Sequence, residues 1–245
     1  MDLLVVGAGE MGRWVARTVD RPVALADVDA AAAERAAADV GTDVRAVPTD
    51  TTETFDAVCL AVPISAVAAA VERYAPNAER AMCDVSGVMR GPVESMREHL
   101  PDRERASMHP LFAASNAPGN VAVVADAPGP VTDAVRADVA AAGNHTFETT
   151  VEEHDAAMET VQAGAHTAVL AYALAAADVR EEFATPVSAG LDDLVATVTG
   201  GTPHVYREIQ ETFDGADAVA EAARRVADAE GEAFEDLYRE AGGEG

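Results

Sequence analysis

The segment that most limits the fold lies at the start of the chain. Four apolar residues, Leu3–Val6, run directly into Gly7-Ala8-Gly9-Glu10-Met11-Gly12, and a helix-forming stretch follows. A strand, a glycine-rich turn and a helix in that order open a dinucleotide-binding βαβ unit. Gly7 permits the tight turn, Gly9 lets the backbone approach a pyrophosphate, and Gly12 lets the helix pack on the strand. The helix N-terminus then offers free N–H groups to the anion. Ala8, Glu10 and Met11 complete this cofactor loop. Asp27 closes the second apolar run and suits a hydrogen bond to the adenosine ribose. A carboxylate there repels a 2′-phosphate, so NAD is the expected cofactor and NADP the poorer one. Ligands of such sheets lie beyond the carboxyl ends of the strands, so Ala61, Val62 and Pro63 should border the cofactor.

The rest of the first half repeats this alternation. Apolar runs at Leu3–Val6, Val23–Ala26, Ala57–Val62, Met82–Val85, Ala106–Met108 and Val121–Val124 read as strands. Several are apolar throughout, as parallel strands covered on both faces are. Ala30–Ala38, Ile64–Tyr74, Pro92–Leu100 and Pro130–Ala141 read as helices, and His145–Glu148 as a late strand. After Thr150 the pattern is helical. Val151–Glu181 contains no proline and reads as one long helix, very apolar from Val161 to Val179. Pro186, Gly200-Gly201 and Pro203 bound two more helices, and about Ala216–Glu240 reads as the last. The expected architecture is an α/β Rossmann-type dinucleotide-binding domain, residues 1–149, followed by an all-helical domain, residues 150–245, for substrate binding and dimerisation. An apolar helix needs more cover than one subunit's helices give, so a homodimer through the helical domain is expected.

Composition narrows the classes further. All 17 basic residues are arginine, against 43 acidic ones, giving a net charge of −26. That field repels phosphate backbones, so nucleic-acid binding is not expected. No apolar run approaches the ~20 residues that span a bilayer, and the N-terminus lacks the basic region of a signal peptide. Cys59 and Cys83 sit in apolar runs and read as buried thiols of a cytoplasmic protein. The acidic residues are spread over nearly every segment, which points to a salt-rich cytoplasm whose ions screen the repulsion. The histidines show no metal-binding spacing, so no metal is expected.

Two polar clusters stand at strand ends: Asp84-Val85-Ser86-Gly87-Val88-Met89-Arg90-Gly91-Pro92 and Ser107-Met108-His109-Pro110-Leu111-Phe112. A histidine on the ligand side of a sheet is well placed for acid–base work. With Val151-Glu152-Glu153-His154-Asp155-Ala156-Ala157-Met158 and the opening GAGEMG loop, these clusters resemble the prephenate dehydrogenase family over essentially the whole chain. The loop is similar to the family's GxGxMG, Asp84–Pro92 to its Asp-x-x-Ser-Val-Lys element, Met108–Phe112 to its His-Pro-Met-Phe element, and 151–158 to its Glu-His-Asp-x-x-Met run. The resemblance implies oxidation of prephenate with NAD(P), loss of CO₂ and formation of 4-hydroxyphenylpyruvate in tyrosine biosynthesis. It also implies roles. His109 would take the proton of the 4-hydroxyl, Ser86 would assist it, and His166 would line the substrate pocket. His154 and Asp155 would be structural, at the seam between domains.

The chain departs from the family pattern at three points. Gly87-Val88-Met89 stands where the family has Ser-Val-Lys, so the serine is one position early, at Ser86, and the lysine is gone. Thr197 falls where the family carries its substrate-carboxylate arginine. A dianionic substrate still needs a fixed cation. Arg90, at the carboxyl edge of the sheet, is the first candidate and Arg207 the second, while Arg13 suits the pyrophosphate. Two other readings fit these departures: a dehydrogenase of arogenate or of another substrate taken by GxGxMG oxidoreductases, and a non-catalytic NAD-binding regulator.

Overall fold

The computed structural model describes residues 1–41 and 43–243. They form two compact units, the first Met1–Asp155 and the second from Ala156 onward. The first is built on an eight-stranded sheet. Its strands are β1 (Leu3–Val6), β2 (Val23–Ala26), β3 (Val44–Ala46), β4 (Phe55–Leu60), β5 (Ala78–Asp84), β6 (Glu104–Pro110), β7 (Asn120–Ala127) and β8 (His145–Glu148), in the order β3-β2-β1-β4-β5-β6-β7-β8. Between and after them run the helices α1 (Glu10–Thr18), α2 (Ala30–Val40), α3 (Val67–Tyr74), α4 (Arg90–His99), α5 (Pro130–Ala141) and α6 (Val151–Met158).

Side chains alternate across each strand, and helices cover both faces. Leu3, Val5, Leu25 and Cys59 point to the face holding Trp14, Val15 and Val135. Leu4, Val6, Val58 and Leu60 point to the other, against Val67, Val71 and Met96. Strands β1 to β6 are mutually parallel, but β7 pairs antiparallel to β6 and β8 parallel to β7, so the last two strands run against the rest. The short link from β6 to β7 is the cause: a parallel return needs a crossover of a dozen or more residues. The link therefore lies at the carboxyl end of β6, one residue beyond His109. Cys59 and Cys83 are register neighbours on β4 and β5, buried and unbridged.

The second unit is helical: a π-helical turn (Glu159–Gly164), then α7 (Ala165–Ala175), α8 (Pro186–Thr199), α9 (Pro203–Thr212), α10 (Gly215–Asp228) and α11 (Glu232–Ala241). The single helix expected over Val151–Glu181 is thus interrupted by the π-turn and ends at Ala175, where Ala176 turns extended. No proline or glycine marks that end. The expected helix over Ala216–Glu240 is two helices: α10 ends where Ala229 turns extended, and α11 starts after Gly231, which takes φ +55°. The apolar α7 has only Val169 buried, and nearby Leu174 and Val179 stand 88% and 68% exposed. Among the described residues no helix is long and apolar enough to cross a membrane.

One carboxylate ties β6 to α5. Glu104 Oε2 accepts the N–H groups of Val131 at 2.7 Å and Thr132 at 2.9 Å, capping the helix where its dipole favours negative charge. Glu104→Ala should cost about 1–2 kcal/mol in urea unfolding, with an unchanged m-value. A loss under about 0.3 kcal/mol would show that water caps α5 equally well.

Candidate active site

The glycine loop has little freedom. Gly7 has φ +104°, and a Cβ there would lie 2.2 Å from the Ala61 carbonyl oxygen. A Cβ on Gly12 would lie 1.8 Å from the Gly7 oxygen. These two glycines are thus required by the protein's own packing. Gly9 is not: a Cβ there would meet nothing within 4 Å. It is the N-cap of α1 and supplies no side-chain acceptor for the first N–H groups of the helix. Glu10 is exposed, whereas Met11 is half-buried against the core. Ala8 is buried, and its N–H donates to Asp27 Oδ2 at 2.7 Å. Asp27 Oδ1 accepts from Asp29 N–H at 2.8 Å, so the carboxylate at the end of β2 is fixed against the loop. Each oxygen keeps a further acceptor direction. Ala61, held by its N–H to Val6 O at 2.8 Å, with Val62 and Pro63 forms the next strand end along.

The second cluster is built on β5, β6 and α6. His109 lies near the end of β6, only 6% exposed, and its Nδ1 is 2.9 Å from Nε2 of His154, which is 3% exposed. His154 Nδ1 is 2.8 Å from Asp155 Oδ1, which also accepts Met89 N–H at 3.2 Å. Burial, aided by the neighbouring His154, lowers the His109 pKa to about 3, so its ring is neutral at neutral pH. Burial pushes the Asp155 carboxyl up, but His154 and the N–H groups of Met89 and Arg90 more than offset this and hold it below the usual range. A Cβ on Gly87 would stand 3.6 Å from both His109 Nε2 and Ile64 Cδ1, so these three positions converge.

Ser86 is turned elsewhere. Its hydroxyl sits between Asp84 Oδ2 and the Val88 carbonyl, and its N–H donates to Asp84 Oδ2 at 3.0 Å. Asp84 is fully buried at the end of β5, and its pKa rises to about 6. Burial is the cause, opposed by the Ser86 and Ser107 hydroxyls. Ser107 Oγ and Asp84 Oδ1 lie buried outside strict hydrogen-bond geometry. Arg90 opens α4 half-exposed, with Glu152 at 3.8 Å and Asp155 at 4.0 Å, so its charge already faces two carboxylates.

The remaining candidates belong to the helical unit. His166, on α7, packs edge-to-face on Tyr206 with centroids 4.8 Å apart, and burial lowers its pKa. Arg207, on α9, is exposed and lies 3.7 Å from Glu211. The Thr197 hydroxyl donates to the Asp193 carbonyl at 2.9 Å, within α8. The pattern of residue types does not reveal Asp84 as a titrating group or His154 as the partner of His109. A polar residue at the end of an apolar run was the only signal for Asp84. Among the described residues no cluster of three metal-ligating side chains occurs.

A glycine loop on a mostly parallel sheet, with a buried neutral histidine near the end of another strand, defines a nucleotide-binding dehydrogenase fold. Residues 12–126 match the pattern described as prephenate dehydrogenase, nucleotide-binding domain. The 4-amino-4-deoxyprephenate dehydrogenase of Streptomyces pristinaespiralis is 31% identical over 244 residues, covering 91% of this chain and 81% of that protein. The chain belongs to the prephenate dehydrogenase family. Two crystal structures share its architecture. Prephenate dehydrogenase from A. aeolicus, in complex with hydroxyphenyl propionate and NAD+, superposes with a TM-score of 0.75 at 16% identity, over 98% of this chain and 92% of that one. Synechocystis arogenate dehydrogenase gives 0.68 at 15%, over 99% and 98%.

Asp84 gives a signed expectation. A carboxyl whose folded pKa is raised is favoured in its protonated form, so its contribution to stability is complete below about pH 4 and lost as pH rises through about 6. Asp84→Asn keeps an acceptor for Ser86 and cannot ionise. It should melt higher than wild type at pH 7–8, by about 1–3 kcal/mol, with the gap closing below pH 4. A gap that persists at pH 4 would show that ionisation is not the cause.

Proposed function

We propose that this chain is an NAD-dependent prephenate dehydrogenase, acting as a homodimer in a salt-rich cytoplasm. The observation that carries the reading is His109: a buried, neutral imidazole at a strand end of the sheet that bears the glycine loop. The loop fits a dinucleotide. Gly9 has space that packing does not use, α1 offers uncapped N–H groups, and Asp27 is fixed where ribose hydroxyls would meet it. Residues 1–149 would hold the cofactor and residues 150–245 the substrate and the dimer contact. Bound NAD supplies the hydride acceptor.

The protein's own part is to draw a proton from the ring hydroxyl. Withdrawing it raises electron density at the carbon that loses hydride, and His109 stays available as a base at any pH near neutral. Ser86 contributes by holding Asp84 and the turn after β5 in place. Arg90 is the candidate partner of a substrate carboxylate in the first unit, and Arg207 and His166 are the candidates in the helical unit. The exposed apolar length of α7 supports a partner subunit over it.

A second reading has a specific observation behind it. The 31% identical relative acts, by its name, on a 4-amino substrate, and Thr197 replaces an arginine of the family pattern. The same neutral base would serve an amino group at that ring position. An assay of NAD reduction in molar salt with prephenate, arogenate and 4-amino-4-deoxyprephenate decides between them. Prephenate is expected to give the highest kcat/KM. No turnover of any of the three would favour the non-catalytic regulator.

Two variants check the roles. His109→Asn should lower kcat by ~10²–10⁴ with nucleotide affinity nearly unchanged. Near-normal turnover would remove His109 from the chemistry. Asp27→Asn should narrow the preference for NAD over NADP, and a wild type that already prefers NADP would overturn the role of Asp27. Sedimentation in molar salt should show a dimer, and a purely monomeric species of about 25 kDa would count against it.

A further inference from the structure

His109 does not stand alone. Its Nδ1 meets His154 Nε2 at 2.9 Å, and His154 Nδ1 meets Asp155 Oδ1 at 2.8 Å. Both histidines are buried, and Met89 N–H pins the same carboxylate oxygen at 3.2 Å. We propose that His154 and Asp155 are positioning residues that set the tautomer of His109 and take up the charge created when it accepts a proton. The kinetic part of this inference rests on the proposed function, whereas the tautomer does not.

The chain of donors allows one assignment while both rings are neutral. An ionised carboxylate only accepts, so His154 Nδ1 carries the hydrogen that faces Asp155. Its Nε2 is then the acceptor, and His109 Nδ1 must donate to it. The basic nitrogen of His109 is therefore Nε2, the one that faces Gly87. An unrestrained neutral imidazole has a choice of tautomer, and this contact removes it.

The same contacts answer a difficulty. Burial leaves His109 a weak base by itself. When the substrate's O–H bond breaks, its electron pair stays on oxygen and the proton forms a bond to His109 Nε2. The Nδ1–H proton of His109 passes to His154 Nε2, so His109 is neutral again and His154 is the imidazolium. That positive charge rests 2.8 Å from the Asp155 carboxylate. The phenolate oxygen left when CO₂ departs then takes the proton back from His109 Nε2, as His154 Nε2 returns its proton to His109 Nδ1. The charged groups around the pair are Asp84 on β5, Arg90 on α4, and Glu152 and Asp155 on α6.

Nitrogen-15 NMR of the full chain in molar salt tests the tautomer without any substrate. At pH 7 His109 should carry its hydrogen on Nδ1, and His154→Gln, whose amide oxygen still accepts, should preserve this. His154→Phe should release it. On acidification the first proton should appear on His154, at a lower pH in Asp155→Asn than in wild type. Repeating this in Asp84→Asn removes the titration of the nearby buried carboxyl from the curve. A hydrogen on Nε2 of wild-type His109, or a first proton that lands on His109, would overturn the proposal.

The kinetic arm uses whichever substrate the wild type turns over. Asp155→Asn should lower kcat ~10–100-fold, keep both KM values within about twofold, and move the acid limb of the kcat profile to lower pH. Asp155→Glu should recover most of the loss. His154→Gln, which holds the tautomer but cannot take a proton, should lose ~100-fold in kcat. Unchanged kcat in His154→Gln, or an unmoved acid limb in Asp155→Asn, would overturn the relay. Absence of turnover in the wild type itself would instead defeat the proposed function, and the NMR result would still decide the tautomer and the resting place of the proton.

Discussion

No side chain fits between the first turn of the sheet and the strand beside it. The Gly7 Cα lies so close to the Ala61 carbonyl, and Gly12 so close to the Gly7 carbonyl, that a single methyl group on either would collide with backbone. This contact sets the distance from β1 to α1 and from the loop to the end of β4. The hydrogen bond from Ala8 N–H to Asp27 then brings the end of β2 into the same frame. Three strand ends are thereby registered to one another by backbone and one carboxylate, with little reliance on flexible side chains.

Around this frame, polarity is concentrated where the strands stop. The strands are nearly dry along their length, and the buried polar residues Asp84, Ser86, Ser107 and His109 collect toward the carboxyl ends of β5 and β6. Burial acts on their ionisation in opposite senses. It raises the carboxyl of Asp84 and lowers the imidazole of His109, so both are pushed toward neutrality. Asp155, half-buried and better hydrogen-bonded, keeps its charge. One small region therefore holds a carboxyl biased to the acid form, a base biased to the free form and a fixed anion. Such separation of pKa values is a common way for a fold to assign acid and base duties.

Much of this was legible because it is local. The glycine loop is contiguous, and α5 and β8 begin and end where Pro130, Ala141, His145 and Glu148 suggested. What escaped was set by contacts distant along the chain. His109 and His154 are 45 residues apart, and nothing in either segment alone states that their rings touch. The reversal of β7 follows from the brevity of a link, which composition does not encode as strand direction. β3 is only three residues long and too short to show a pattern. The last helical stretch divides where Ala229 turns extended, and an alanine in a helix-forming run carries no sign of that turn.

The reversed strand has an optical consequence. Because β7 returns at once, the link after His109 carries Phe112 to the edge of Trp14, with ring centroids 5.6 Å apart. Trp14 is the sole tryptophan of the chain and sits on α1, the helix that the glycine loop opens. Its indole thus joins the helix behind the loop to the segment that follows β6. Tryptophan emission, excited at wavelengths that the four tyrosines do not absorb, comes from one indole at that junction, so a change in its colour or anisotropy reads a single place in the molecule.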